Sequence, residues 1–404
     1  MKILFLGYWS ANEGLSVSTI YPHLQVLAAF PFVDRIFYCS IERESTLPAF
    51  SIQLPKVSHI PLHSPPQQNV ILNKVNDFIL FPKKLNTIIA QEHIDLLICR
   101  GAPAGILGHL VHLYTKIPYW VESFEPHAAY MLESGVWPKW DLRYLIEHFG
   151  ESAQLRTATA IMPVAEGYRS VLISKAVPEE KLMTLPCTVD VDYFGFRETT
   201  RRQVRAALGL ADQAVCGIYV GKFGGLYYDE EAFEIFRLSR QLIPNFHLII
   251  LSPQPAEEIR KKLMDVGFQE NEFFVDGKPH HEIPLYLHAA DFAYALYRPS
   301  PSKKYLSPIK IGEYWAAGLP VMLSEGVGDE TEIIAAGKGG VLFTMKSVQT
   351  ALKEMRKVVE AVSKSDYKEL AIKYRGRRHI AQVYEKAFAL TAAKPSSDIY
   401  LQTK

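Results

Sequence analysis

The residue best placed to meet an anionic group is Lys222, set in VGKFGG between Gly221 and the pair Gly224 and Gly225. Glycines let the backbone approach a ligand closely, the ammonium adds a full positive charge, and the run DEEAFEIFRLSRQL that follows opens a helix whose first N–H groups are unpaired. This is a diphosphate site in outline. The competing reading is a tight strand-to-helix turn with a solvent-facing lysine. No GKS or GKT follows, so it is not a P-loop, and SANEGLS near the N-terminus does not give GxGxxG.

SPIKIGEYWAAGLPV supplies a second half of the same pocket. Ser307 is a good N-cap and Pro308 a good first helical residue, which leaves the N–H groups of Ile309 and Lys310 for phosphate oxygens. Glu313 falls about one turn into that helix, where a carboxylate can accept two ribose hydroxyls. An acid at a helix start is more often a cap or an ion-pair partner, but beside the Lys222 loop the ribose reading is the stronger. GVGDE (326–330) offers further backbone N–H groups, with Asp329 available to a sugar hydroxyl or as a helix cap. In WVESFEPHAAYM, Glu122, Glu125 and His127 end a strand, and Arg100 ends another. Arg100 can reach an acceptor or a phosphate, or simply pair with Glu122. His280 and His281 lack metal-ligand spacing and read as solvent-facing, while His109 and His112 lie on an ordinary helix.

The elements that must carry these residues alternate. KILFLGYW is an apolar run of the kind buried on both faces of a parallel sheet. DRIFYCSIE, VSHIPL, DLLICRG, PYWVESFEPH and TAIMPVAE continue as strands, with SANEGLS as a loop and GAPAG as a turn. MTLPCTVDVDYF reads as the last strand of the first half. From AVCGIYVGKFGG a second alternation starts, through FHLIILS, EFFVDGK, DFAYALYR, PVMLSE and GGVLFT. Alternating β and α segments imply parallel, doubly wound sheets with ligands at the carboxyl ends of strands. Two such runs in 404 residues imply two α/β domains, 1–194 and 195–375, followed by a helical tail, 376–404, that packs back on the first domain. The site is then expected between them.

In this order the segments VGKFGG, FHLIILS, VDGK, LYLHAADFAYALYRPS, SPIKIGEYWAAGLPV and GVGDE resemble the C-terminal donor-binding domain of retaining GT-B glycosyltransferases of the family 4 group. TLPCTVDVDYF is similar to that family's P-N-G-V-D-x-x-x-F junction, and LLICRGAPAG suits its first domain. The resemblance implies a GT-B fold of two Rossmann-like domains and metal-independent transfer of a sugar from a UDP- or GDP-linked donor to a glycan or lipid-linked acceptor, with retention. It places Lys222 at the leaving diphosphate, Glu313 on the ribose, Gly14 near phosphates and acceptor, and His127 near the donor's sugar. No cofactor or metal is implied beyond the nucleotide sugar. Two positions depart from the pattern. Tyr305 stands where the family has its first acid, and Tyr227 stands where it has a second basic residue. Arg298, Lys303 or Lys304 are candidates to replace that charge. The departures also admit a catalytically degenerate subunit that binds nucleotide or a protein partner. An epimerase or phosphorylase on the same scaffold is a weaker alternative.

Lys plus Arg is 44 and Asp plus Glu is 43, a net charge of +1 that does not point to nucleic acid. The N-terminus lacks the apolar core of a signal peptide, and no apolar run approaches a membrane span. Cys39, Cys99, Cys187 and Cys216 sit mostly in strand-like surroundings and read as free thiols of a reducing cytosol. The expected setting is cytoplasmic, with peripheral contact at the inner membrane surface as an option. For that contact the candidates are the mixed segment 67–85 and the basic stretch from Lys346 to Lys386, eleven Lys/Arg against five Asp/Glu. A core helix and a solvated face are the plainer readings of the two.

Overall fold

The computed structural model describes residues 1–44, 53–64, 70–361 and 363–393. The chain forms two compact units. The first holds Met1–Leu132, Trp137–Pro186 and the chain from Arg377 on; the second holds Glu133–Val136 and Cys187–Gly376.

The first unit is built on β1 (Lys2–Gly7), β2 (Arg35–Glu42), β3 (Val57–His63), β4 (Leu96–Arg100), β5 (Tyr119–Phe124) and β6 (Ala160–Pro163). They pair in parallel in the order β3-β2-β1-β4-β5-β6. The apolar runs read from sequence are these strands, and Ile3 to Leu6 and Leu96 to Cys99 are fully buried, as a sheet covered on both faces requires. Two expected loops are helical in part. SANEGLS is a loop only to Glu13, because Gly14 opens the helix Gly14–Thr19, and in GAPAG only Gly101 turns the chain, the rest belonging to the helix Ala102–Thr115, which takes Pro103 in its first turn. Gly108 lets that helix lie on the sheet, since a Cβ there would stand 2.4 Å from Cys99 Sγ.

The segment expected at 67–85 is the helix Val70–Glu92; residues 67–69 lie outside the described residues. Its Phe81 and Leu85 are buried and its Ile79 and Leu80 exposed. The helix Arg378–Ala393 completes the unit. Its Phe388 stands edge-on to Trp120 at 4.7 Å, and Trp120 Nε1 donates to Thr391 Oγ1 at 2.9 Å.

The second unit repeats the plan with β7 (Val215–Val220), β8 (Phe246–Leu251), β9 (Phe273–Asp276), β10 (Phe292–Ala295), β11 (Val321–Ser324) and β12 (Gly340–Phe343), ordered β12-β11-β10-β7-β8-β9 and again parallel. Strand order reverses between β7 and β10, so the loops leaving those two strands border the crevice where such sheets bind ligands. MTLPCTVDVDYF is not a strand. Leu182 and Val189 each make one isolated bridge, and the Asp190 carboxylate turns the chain by accepting from the N–H groups of Asp192 and Tyr193.

Part of the basic C-terminal stretch is core rather than solvated face. Arg375 is buried, and Lys364 donates to Ala290 O with its pKa pushed down to about 8 by burial. Cys39, Cys99 and Cys216 are buried free thiols, and Cys187 is half-buried. Among the described residues no helix is long and apolar enough to cross a membrane.

Candidate functional site

β7 delivers the chain into the loop Gly221–Tyr228. Gly221, Gly224 and Gly225 have φ of 149°, 81° and 61°, a region that disfavours side chains. The loop is fixed mostly by its own backbone. Gly221 N–H donates to Leu251 O, Phe223 N–H to Gln254 Oε1 and Gly224 N–H to Tyr228 O. The N–H groups of Lys222 and Gly225 have no partner among the described residues, and the Lys222 side chain is exposed.

The helix read from DEEAFEIFRLSRQL forms as Glu230–Leu242 with Asp229 at its N-cap position, and acids rather than open N–H groups dominate its start. Glu230 and Glu231 occupy its first turn, and Lys262 pairs with both Asp229 (3.2 Å) and Glu230 (2.6 Å). Positive potential at this loop therefore rests on Lys222 and on the neighbouring helix.

That neighbour is Ile309–Ala316, with Pro308 at the N-cap position. Ser307 is not the cap. Its hydroxyl accepts from Cys187 N–H at 3.0 Å and from the Arg375 guanidinium. Arg375 also donates to Cys187 O and ion-pairs Glu330, and burial lowers its pKa to about 10. Ser307 thus ties the connector to the helix, and the first-turn N–H groups of Ile309 and Lys310 stay without a partner among the described residues. The helix abuts the end of β7, where Val220 N–H donates to Tyr314 Oη at 3.3 Å.

Glu313, one turn in, is 5 % exposed, and its Oε1 lies 3.0 Å from His280 Nε2. This bond raises the His280 pKa above its ordinary value. His280 is therefore not the solvent-facing residue expected. The signal that could have found it is its place just past β9, at the carboxyl end of the sheet. Phe194 holds the ring edge-on at 5.7 Å.

Other expectations change with burial. Lys303 is 1 % exposed, and its ammonium donates to Leu226 O (2.8 Å) and Arg298 O; burial lowers its pKa to about 8. It braces two loops and cannot supply a charge to a ligand. Arg298 lies 3.8 Å from Glu231, and the Lys304 ammonium lies 5.0 Å from the Tyr305 ring. Asp329 takes the N-cap position of Glu330–Ala335 without a side-chain cap. In GVGDE the N–H of Val327 goes to Thr331 Oγ1 and that of Gly328 to Lys303 O, so neither is open to a ligand.

In the first unit, Arg100 and Glu122 are not ligand contacts. They are 5 % and 0 % exposed and pair at 3.0 Å in the core. His127 opens the helix His127–Glu133 and its Nδ1 hydrogen-bonds the Glu147 carboxylate, its ring edge-on to Tyr130 and Trp137. Glu151 stands in the same acidic group, accepting from Ala128 N–H, with its pKa raised to about 7 mainly by burial. Gly14 is exposed, with open space around it.

Residues 200–377 match the family model for glycosyl transferases group 1. Several solved structures share the two-unit architecture. Sucrose-phosphate synthase from Thermosynechococcus elongatus is 16% identical with a TM-score of 0.74, over 96% of this chain and 99% of that one. Anabaena HepE in complex with UDP-glucose is 16% identical with a TM-score of 0.69, over 97% and 100%. A glycosyltransferase from Rickettsia africae is 14% identical with a TM-score of 0.67, over 97% and 99%.

The fold is GT-B.

No curated protein matches the sequence significantly. At these identities the solved structures establish the GT-B fold, and the family match adds that the second unit carries a group 1 glycosyl transferase pattern.

Proposed function

We propose that the chain transfers a sugar from a UDP- or GDP-linked donor to a glycan or lipid-linked acceptor, with retention and without a metal ion. The observation that carries the reading is one juxtaposition. The helix Ile309–Ala316, with the first-turn N–H groups of Ile309 and Lys310 open, meets the carboxyl end of β7 through the Tyr314 hydroxyl at Val220 and the Lys310 side chain beside Gly221, with Glu313 one turn in. Lys222 and that helix N-terminus offset charge developing on the leaving diphosphate, and groups already fixed in place do so without reorganising. The Glu313 carboxylate, aligned by His280, receives ribose hydroxyls. His127 keeps the sugar contact that the family resemblance gives it. The UDP-glucose bound by the Anabaena protein of the same fold supports a nucleotide-sugar donor. The setting proposed is polysaccharide or glycan assembly on the cytoplasmic side, peripheral to the inner membrane.

Calorimetry with UDP-glucose and GDP-mannose, with and without EDTA, tests donor class and metal independence. NMR of the product's anomeric configuration tests retention. Lys222→Ala is expected to lower turnover about 100-fold with an unchanged melting temperature, and wild-type turnover would refute the assignment. One observation favours a binding-only subunit as second reading. Tyr227, at the position of an expected cation, is fixed in an antiparallel bridge with Tyr297. Donor binding without turnover or hydrolysis would select it.

A further inference from the structure

One cation in the second unit has no structural employment. Lys310 Nζ is buried, yet it has no hydrogen-bond partner and no carboxylate within ion-pair range among the described residues. It lies instead among three aromatic rings, 4.2 Å from the centroid of Tyr227, 5.4 Å from Tyr297 and 5.7 Å from Tyr219. Ring faces attract a cation, but more weakly than water or an oxygen ligand, and they leave its three N–H donors unmet. A lysine with no task there would extend its flexible stem to solvent.

The position of the ammonium says what it awaits. A Cβ built on Gly221 would meet Lys310 Nζ at 2.9 Å, so the charge stands against the first glycine of the loop. Tyr227 and Tyr297, bridged through their backbones, form the shelf beneath it. We propose that the Lys310 ammonium is the second cation of the diphosphate site, stored on the faces of Tyr219, Tyr227 and Tyr297 and delivered past Gly221 when a nucleoside diphosphate enters. Tyr227 is then part of the holder of the charge rather than the mark of a lost one. A diphosphate oxygen gives the ammonium the hydrogen-bonded counter-ion that the rings cannot, and the four-carbon stem covers the short distance. Gly221 has a second reason to be glycine, because any side chain there would close the passage.

This inference rests on the proposed nucleotide-sugar reading, and the test separates the two. Calorimetry on the full chain compares UDP, GDP, UMP, GMP and inorganic pyrophosphate. The expected result for Lys310→Met is a 10- to 100-fold loss of affinity for the better diphosphate and for pyrophosphate. The monophosphate should change less than threefold, and the melting temperature should hold or rise, since an unpaired buried charge has been removed. Lys310→Arg keeps the charge and should stay within about fivefold of wild type. Should Lys310→Met fail to fold, Lys310→Gln carries the same comparison. A double variant, Lys310→Met with Tyr227→Lys, should regain diphosphate affinity by returning a cation to the same spot. The inference is overturned if wild type binds diphosphate and the Met or Gln variant binds it equally well. It is equally overturned if mono- and diphosphate weaken together with a falling melting temperature, which marks a structural lysine. Absence of all nucleotide binding in wild type overturns the proposed function itself, and this inference with it.

Discussion

Replacing Arg100 by methionine separates a ligand contact from a core ion pair. Glu122 is fully buried and holds three partners: Arg100 Nη1 at 3.0 Å, His23 Nδ1 at 3.2 Å and the Tyr384 hydroxyl. Arg100 also donates to His23 Nε2 at 3.2 Å, which places the imidazole proton on Nδ1 and keeps the ring neutral. Burial lowers the His23 pKa first, and the Arg100 charge lowers it further. Removing one partner of a buried pair costs about 3–5 kcal/mol because the other charge is stranded. Two hydrogen bonds to Glu122 survive here, so the lower figure applies, about 3 kcal/mol at pH 8. For a unit of this size that is a drop of roughly 6–12 °C in melting temperature.

The pH dependence carries the sharper signature. Without Arg100 the repulsion on His23 is gone and Glu122 remains, so the His23 pKa rises. As pH falls, the imidazolium forms and replaces the missing cation. The destabilisation of Arg100→Met should therefore shrink by about half between pH 8 and pH 5.5, and Arg100→Met with Glu122→Leu should recover most of the loss at both. Urea unfolding followed by circular dichroism reads all of this. A loss under about 1 kcal/mol at pH 8, or one independent of pH, would refute the reasoning. Lost turnover with unchanged stability would return Arg100 to the substrate.

Two further outcomes follow from buried or paired groups. The Glu151 carboxyl binds its proton more tightly folded than unfolded, its pKa moving from 4.5 to about 7, so stability falls as pH rises through that window. Glu151→Gln keeps the acceptor for Ala128 N–H and should stabilise by up to about 3 kcal/mol at pH 8 and not at pH 4.5, measured by urea titration at each pH. The His280 pKa is raised by Glu313, so this pair contributes stability below the unfolded histidine value near 6.5 and loses it as pH climbs through the folded one. The melting temperatures of wild type and His280→Ala should differ more at pH 6 than at pH 8.5; an equal gap would mean that the ring acts by packing alone.

How much of this was legible depends on the reach of each interaction along the chain. Strands such as KILFLG and FHLIIL announce themselves because burial on both faces selects an unbroken apolar run, a property of six neighbouring residues. The Gly221–Gly225 loop is legible for the same reason, since its backbone demands glycine locally. The start of the helix at Ile309 is not. Ser307 reads as its cap by type, but the hydroxyl is claimed by Arg375, 68 residues away, and by Cys187, 120 residues away. No local pattern encodes that competition. Arg100 and Glu122 look like cleft residues because both end strands, yet a tyrosine 262 positions later than Glu122 closes the core over them.

Tyr227 shows the same limit from the other side. Read along the chain, it is a missing positive charge, because pattern matching compares one position at a time. Charge in a folded site is a property of a place, and any residue that reaches the place can supply it. The ammonium 4.2 Å from the Tyr227 ring belongs to Lys310, on a helix that the sequence presents only through its backbone. An aromatic at 227 and a lysine at 310 are therefore one feature, and substituting either alone should disturb what the other does.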